Sequence, residues 1–98
     1  MSIKPVKLFN WDQWNVQKNE LKHGVSAVEA ESAFGDPFHL LFRDHKHSTV
    51  QEARFILFGW SSEKRILMVG FTIRKAKIRV ITARPASRKE RAIYEKNR

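Results

Sequence analysis

The sequence predicts an α+β fold: an antiparallel β-sheet of about four strands with two N-terminal helices and one C-terminal helix. Three features predict it. Ser26 with Glu29, and Ser87 with Glu90, are capping-box patterns that open helical spacing on either side of the middle of the chain. Between Pro37 and Ala83 the chain turns to segments rich in β-branched, aromatic and long apolar residues, divided by polar breaks. Two of those breaks, Ser61-Ser62-Glu63-Lys64 and Lys75-Ala76, are short enough to close hairpins.

After a short extended start around Lys7 to Phe9, Asp12 is placed to cap a helix running to about His23, and Gly24 to stop it. The apolar face of that helix is weak and rests on Trp14 and Leu21. Ser26 opens a second helix, in which Ala27, Ala30, Ala33 and Phe34 keep helical spacing to about Gly35. Strands follow at Phe38 to Arg43, Ala53 to Trp60, Arg65 to Arg74 and Lys77 to Ala83, the last three as an antiparallel meander. Pro85 stops extension. Ala86 to Asn97 then reads as a basic helix with Ala92 and Ile93 as its apolar contribution, lying against the sheet.

Composition narrows what such a fold does. The 98 residues hold no cysteine, which excludes disulfide frameworks and Cys-bearing zinc sites. No repeat and no Pro/Gly/Ser-rich linker divides the chain, so residues 1–98 read as a single domain, with enough apolar residues (42%) to fold alone. No apolar run approaches the ~18 residues of a bilayer-spanning helix. Met1 to Lys7 carry a proline and two lysines where a secretory signal has its apolar stretch, so a cytoplasmic protein without membrane contact is expected. Ten basic and two acidic residues follow Ile73, so +8 of the net charge of +9 comes from the last 25 residues. Charge concentrated in this way favours a polyanion, nucleic acid first, over an acidic protein or a merely solubilising surface.

Several side chains are candidates for chemistry. Lys22-His23 closes the first helix, where capping alone also favours cations. Glu52 and Arg54 project from the same face at the start of a strand, as a site or as a simple ion pair. Arg79, Arg84, Arg88 and Arg91 run across the last strand and helix, with Glu90 and Tyr94 nearby. Arg88, Arg91 and Tyr94 or Glu95 share a helical stripe that either tracks phosphates or faces water. Arg74 and Lys77 extend this basic surface as RNA contacts. Asp44-His45-Lys46-His47 suggests a metal site only weakly, because a lysine separates the imidazoles and no further ligand stands near; a flexible polar loop accounts for it better. Trp11, Trp14 and Trp60 read as core or interface anchors before base-stacking platforms. Neither a Gly-rich phosphate loop nor a nucleophile elbow is present.

Cleavage of RNA without a metal has a defined set of needs. The ribose 2′-OH loses a proton as it attacks the adjacent phosphate, the 5′-oxygen gains one as it leaves, and the pentavalent phosphate needs cations. Glu52 or His23 is the candidate base, His23 or Tyr94 the candidate acid, and Lys22, Arg54, Arg79 and Arg84 the stabilisers. A non-catalytic module that binds nucleic acid or protein through the same basic face is the rival reading.

Phe9-Asn10-Trp11-Asp12, Asn19, Lys22-His23-Gly24-Val25-Ser26, Glu29-Ala30, Phe34 and Asp36 together resemble the opening of the BrnT toxins of bacterial type II toxin–antitoxin systems. Glu52-Ala53-Arg54 with Gly59, Ile66 to Thr72, Ile78-Arg79-Val80-Ile81-Thr82-Ala83-Arg84, Glu90-Arg91 and Tyr94 are similar to the remaining blocks of that family. The resemblance departs at Ala27, Trp14-Asn15, Thr82 and Pro85. It implies a RelE-like fold, a ribonuclease that arrests translation, and neutralisation by a BrnA-like antitoxin in a toxin–antitoxin hetero-oligomer; a metal-independent endoribonuclease with no cofactor is expected. Any DNA contact then belongs to the antitoxin.

Overall fold

A computed structural model describes residues 8–98. The readings made on Met1 to Lys7 lie outside the described residues. Helix α1 spans Gln13–His23 and α2 Ala27–Phe34; strands β1 (Leu40–Arg43), β2 (Arg54–Trp60), β3 (Ile66–Arg74) and β4 (Lys77–Pro85) follow, and α3 covers Arg88–Lys96. The four strands form one antiparallel sheet in the order β1-β2-β3-β4, so the expected meander extends to the first strand as well.

Helix α1 begins and ends as its sequence dictates but docks in a way the sequence concealed. The Asp12 side chain accepts from the Trp14 amide, and Gly24 closes the helix in the left-handed region at φ 67°. Trp14 and Leu21, expected to face the core, are 72% and 89% exposed. The residues that α1 buries are Asn15 and Asn19. Asn19 Oδ1 accepts from the Ala83 amide at 3.2 Å, and Lys18 Nζ donates to the Ile81 carbonyl at 3.0 Å. The reason is β4, an edge strand whose outward backbone groups need partners; polar side chains of α1 supply them where apolar ones would leave them orphaned. At the other end of the same edge, Phe9 forms an isolated parallel bridge with Ile78.

In α2 the Ser26 hydroxyl accepts from the Glu29 amide, but the expected return bond is missing because the Glu29 carboxylate turns inward. It receives Nε and Nη2 of Arg65, each at 2.7 Å, and the Ser61 hydroxyl at 2.7 Å. Arg65 Nη2 also donates to the Gly24 carbonyl, which ties the α1–α2 junction to the start of β3. The hydrogen bonds from Arg65 hold the Glu29 carboxyl below its ordinary value against the opposing effect of burial. Ala30 and Ala33 are fully buried against the sheet, and Gly59 permits the approach: a Cβ there would lie 2.5 Å from the Ala33 carbonyl oxygen.

The sheet separates two apolar clusters. Leu57, Leu67, Val69, Phe71, Val80 and Ala83 pack under α2 with Val25, Ala30 and Ala33. On the other side Phe58, Ile66, Ala86 and Tyr94 pack together where α3 crosses one end of the sheet. Both halves of the Ser87–Glu90 capping box are present. Ala92, expected to anchor α3, is exposed, and Tyr94 is the residue that helix buries. Its hydroxyl donates to Asp36 Oδ2, an oxygen that also accepts from the Trp60 amide at 2.8 Å. The first strand starts at Leu40 rather than Phe38, because the Phe38 amide turns back to Asp36 Oδ1. The last continues past Ala83, with Arg84 and Pro85 opposite Met68 and Leu67. A proline is tolerated at that strand end, where little ladder follows.

Candidate active site

Strand alternation and register build one open sheet face. Arg54, Ile56 and Phe58 of β2 lie opposite Thr72, Gly70 and Met68 of β3, and Gly70 and Met68 lie opposite Thr82 and Arg84 of β4. With α3 covering only one end, these residues other than the buried Thr72 line a cleft of about 300 Å³. Its rim is formed by Arg54, by Arg84 with Glu90, and by Asp44 and His47 from the β1–β2 connection.

The arginines are oriented by carboxylates. Arg84 makes a two-pronged pair with Glu90, Nη1 to Oε1 at 2.8 Å and Nη2 to Oε2 at 2.9 Å. Glu90 Oε1 also accepts from the Ser87 amide, so one carboxylate fixes both the arginine and the start of α3. Burial alone would raise the Glu90 carboxyl; the bonds from Arg84 and Ser87 outweigh it and leave the group below its ordinary value. Glu52 accepts from Arg54 Nε at 2.9 Å and from Arg74 Nη2 at 3.0 Å, and these bonds lower its carboxyl as well. Arg54 spends only Nε on this pair, so its terminal nitrogens are the groups it offers to an anion.

The sequence-predicted residues thus fall into separate groups. Arg54 and Arg84 line the cleft, while Glu52 and Arg74 stand behind Arg54. Lys22 is exposed at the end of α1. His23 beside it is held below its ordinary value, first by burial and then by the charges of Lys22, Arg84 and Lys18, which brings α1 electrostatically close to Arg84. Arg79 is drawn to Asp12 at the start of α1, with Nη1 to Oδ2 at 3.4 Å, and its buried Nε has no partner among the described residues. Lys77 opposes Arg74 at the far end of the β3–β4 hairpin. Arg88 and Arg91 are exposed on α3. Tyr94 is not brought to the cleft: it is 2% exposed, its hydroxyl is spent on Asp36, and burial raises its pKa to about 12. It borders a separate hollow with Asp36, Phe38 and Trp60.

Sequence reading passed over Asp44 and His47 as partners. His47 Nδ1 lies 2.8 Å from Asp44 Oδ2, and the His47 amide donates to Asp44 Oδ1 at 3.3 Å. The loop expected to be flexible is bonded to the sheet. The Asp44 amide donates to the Arg54 carbonyl at 2.8 Å, the Arg54 amide to Ser48 Oγ at 2.8 Å, and that hydroxyl to the Asp44 carbonyl at 2.7 Å. No group of three or more metal-ligating side chains occurs among the described residues. Of the tryptophans, Trp11 packs against the core and donates to Glu31 at 2.6 Å, while Trp14 and Trp60 are exposed.

Fold and cleft together define a small basic α+β protein with two arginines on one open sheet face. The chain belongs to the BrnT family: residues 11–90 match the model of the ribonuclease toxin BrnT of type II toxin–antitoxin systems. Tyr94 lies beyond that matched segment. The fold is similar to that of the Brucella abortus ribonuclease toxin BrnT, known from a crystal structure at 1.1 Å resolution. The similarity has a TM-score of 0.59 at 23% identity and covers 82% of this chain and 96% of that one. No curated protein matches the sequence. Among the described residues no helix is long and apolar enough to cross a membrane.

Proposed function

We propose that this chain is a one-domain, metal-independent endoribonuclease toxin acting in the cytoplasm, inhibiting translation and growth until a cognate antitoxin covers it. The observation that carries the reading is the pairing of Arg54 and Arg84 on one 300 Å³ cleft, in a member of a ribonuclease toxin family. Two guanidiniums facing one hollow suit a phosphodiester whose charge rises as the 2′-oxygen attacks, because cations fixed in advance need no reorganisation at the transition state. Glu52 and Glu90 orient them and are displaced in part by the phosphate. Lys22, Arg74, Lys77, Arg79, Arg88 and Arg91 supply the surrounding field that draws the RNA in. His23, lowered by burial and its cationic neighbours, is neutral at pH 7 and hydrogen-bonds the RNA beside Arg84.

The antitoxin, a BrnA-like protein, contacts the C-terminal basic region around Arg88 and Arg91 in a toxin–antitoxin hetero-oligomer, and carries whatever DNA contact that complex makes. Charge reversal at both arginines weakens the complex if this is so, and leaves it unchanged if the antitoxin sits elsewhere. The activity itself is tested by incubating antitoxin-free protein with labelled RNA in EDTA. Cleavage is expected. Intact RNA, together with unimpaired growth of cells expressing the chain, overturns the reading.

A further inference from the structure

The cleft contains a hydrogen-bonded carboxylate and imidazole, Asp44 and His47, that the ribonuclease reading above does not use. Besides the two arginines, its ionisable lining consists of Asp44, His47 and Glu90. Glu90 is held by both terminal nitrogens of Arg84 and by the Ser87 amide. Both Asp44 oxygens are engaged by His47, one by its ring and one by its backbone amide. Nε2 of His47 has no partner among the described residues. Its side chain is 60% exposed at the rim, and Nδ1 is engaged by Asp44, whose side chain is 17% exposed. Burial would raise the Asp44 carboxyl, but its bonds from His47 and Lys46 outweigh that and hold it below its ordinary value, and a carboxylate at Nδ1 directs the proton of a neutral imidazole to that nitrogen and leaves the lone pair on Nε2. The loop is pinned to the Arg54 backbone amide and carbonyl, and His47 and the Arg54 side chain line the same cleft.

We infer that His47, oriented by Asp44, is the general base of this cleft and acts on the 2′-hydroxyl of an RNA whose adjacent phosphate lies between Arg54 and Arg84. The inference rests on the ribonuclease reading above and adds the group that starts the reaction. Nε2 of His47 takes the 2′-OH proton; the 2′-oxygen forms its bond to phosphorus while the bond from phosphorus to the 5′-oxygen breaks. The departing 5′-oxygen takes a proton from water in the open cleft, and the imidazolium returns its proton to solvent. The products are a 2′,3′-cyclic phosphate and a 5′-hydroxyl. Asp44 is a positioning residue: it fixes the tautomer and stabilises the imidazolium.

The test uses the whole chain, free of antitoxin, as wild type, His47→Ala and Asp44→Asn, with a labelled RNA in EDTA. His47 is exposed enough for truncation to leave the fold intact. The expected result is a fall in kcat of about 10²- to 10⁴-fold for His47→Ala, the range for loss of a general base. RNA affinity and KM stay close to wild type, and added imidazole restores part of the rate, which a structural role would not allow. Asp44→Asn lowers kcat less, again with little change in KM. A His47→Ala variant that cleaves at the wild-type rate, or one that loses RNA affinity and is not rescued, overturns the assignment while the ribonuclease reading stands. If wild type itself does not cleave, that reading falls and the assignment with it.

Discussion

The Tyr94 hydroxyl donates a hydrogen bond to Oδ2 of Asp36, a carboxylate 58 residues earlier in the chain. Asp36 simultaneously accepts from the amides of Phe38 and Trp60, so one buried carboxylate joins the exit of α2, the end of β2 and the inner face of α3. Burial would raise its pKa, and these three donors together hold it below its ordinary value. Because α3 positions Glu90, and Glu90 orients Arg84, the contact also bears on one wall of the cleft.

Tyr94→Phe is therefore expected to destabilise the fold by about 1.5–3 kcal/mol, the range for a hydrogen bond to a charged group. Urea denaturation checks this. A variant with unchanged stability but no cleavage would instead give Tyr94 the proton-transfer role that its sequence context suggested.

Gly59→Ala tests the close approach of α2 to the sheet. The new Cβ would stand 2.5 Å from the Ala33 carbonyl oxygen and 3.0 Å from a Leu57 methyl carbon, and backbone cannot rotate aside as a side chain does. A loss of about 1–3 kcal/mol is expected, in the range for overpacking. A thermal melt unchanged from wild type would show that α2 sits further from β2.

The β3–β4 turn has the opposite tendency. Lys75 and Ala76 occupy the left-handed region at φ 50° and 65°, the conformation of a two-residue turn that favours Asn-Gly. Replacing Ala76 by Gly removes a Cβ penalty of about 1–2 kcal/mol, offset in part by the greater freedom of glycine in the unfolded chain. A small rise in melting temperature is expected; a fall would mean that this turn is not strained.

Acid should unfold the protein through the same carboxylates that organise it. Glu29, Asp36, Asp44, Glu52 and Glu90 are all held below their ordinary values in the fold. A depressed folded pKa contributes stability that is fully present above the unfolded values, about 4, and is lost as pH falls through the lower folded values. Melting temperature is expected to be flat down to about pH 5 and to drop below about pH 4. Glu29→Gln should make that drop shallower, since it removes the titration of a buried carboxylate paired with Arg65.

Much of the fold was legible because its cause is local. Gly24, Ser26 and Ser87 cap helices by their own chemistry, and the four strands announce themselves through composition and short turns. The docking of α1 was not legible: Asn15 and Asn19 look like solvent-facing residues until β4 is known to be an edge with backbone groups to satisfy. Tyr94 misled for a related reason. Its spacing from Arg91 suggested a shared exposed stripe, whereas the rotation of α3 exposes the arginine and buries the tyrosine. Arg54 and Arg84 stood out by charge, but their sharing of one cleft follows from a register that sets Arg84 opposite Met68 and Met68 opposite Phe58. The Asp44–His47 pair carried one readable signal, a carboxylate and an imidazole three residues apart followed by Ser48. Only the bonds to Arg54 turn that loop toward the cleft.

Engagement of RNA on the sheet face between Arg54 and Arg84 is measured by following backbone amide NMR shifts on titration with a 2′-O-methyl RNA, which lacks the attacking hydroxyl. Shifts are expected to gather on Arg54, Ile56, Met68, Gly70, Thr82 and Arg84 and largely to spare α2 on the opposite face. Shifts concentrated on α2, with the β2–β4 cleft silent, would contradict it.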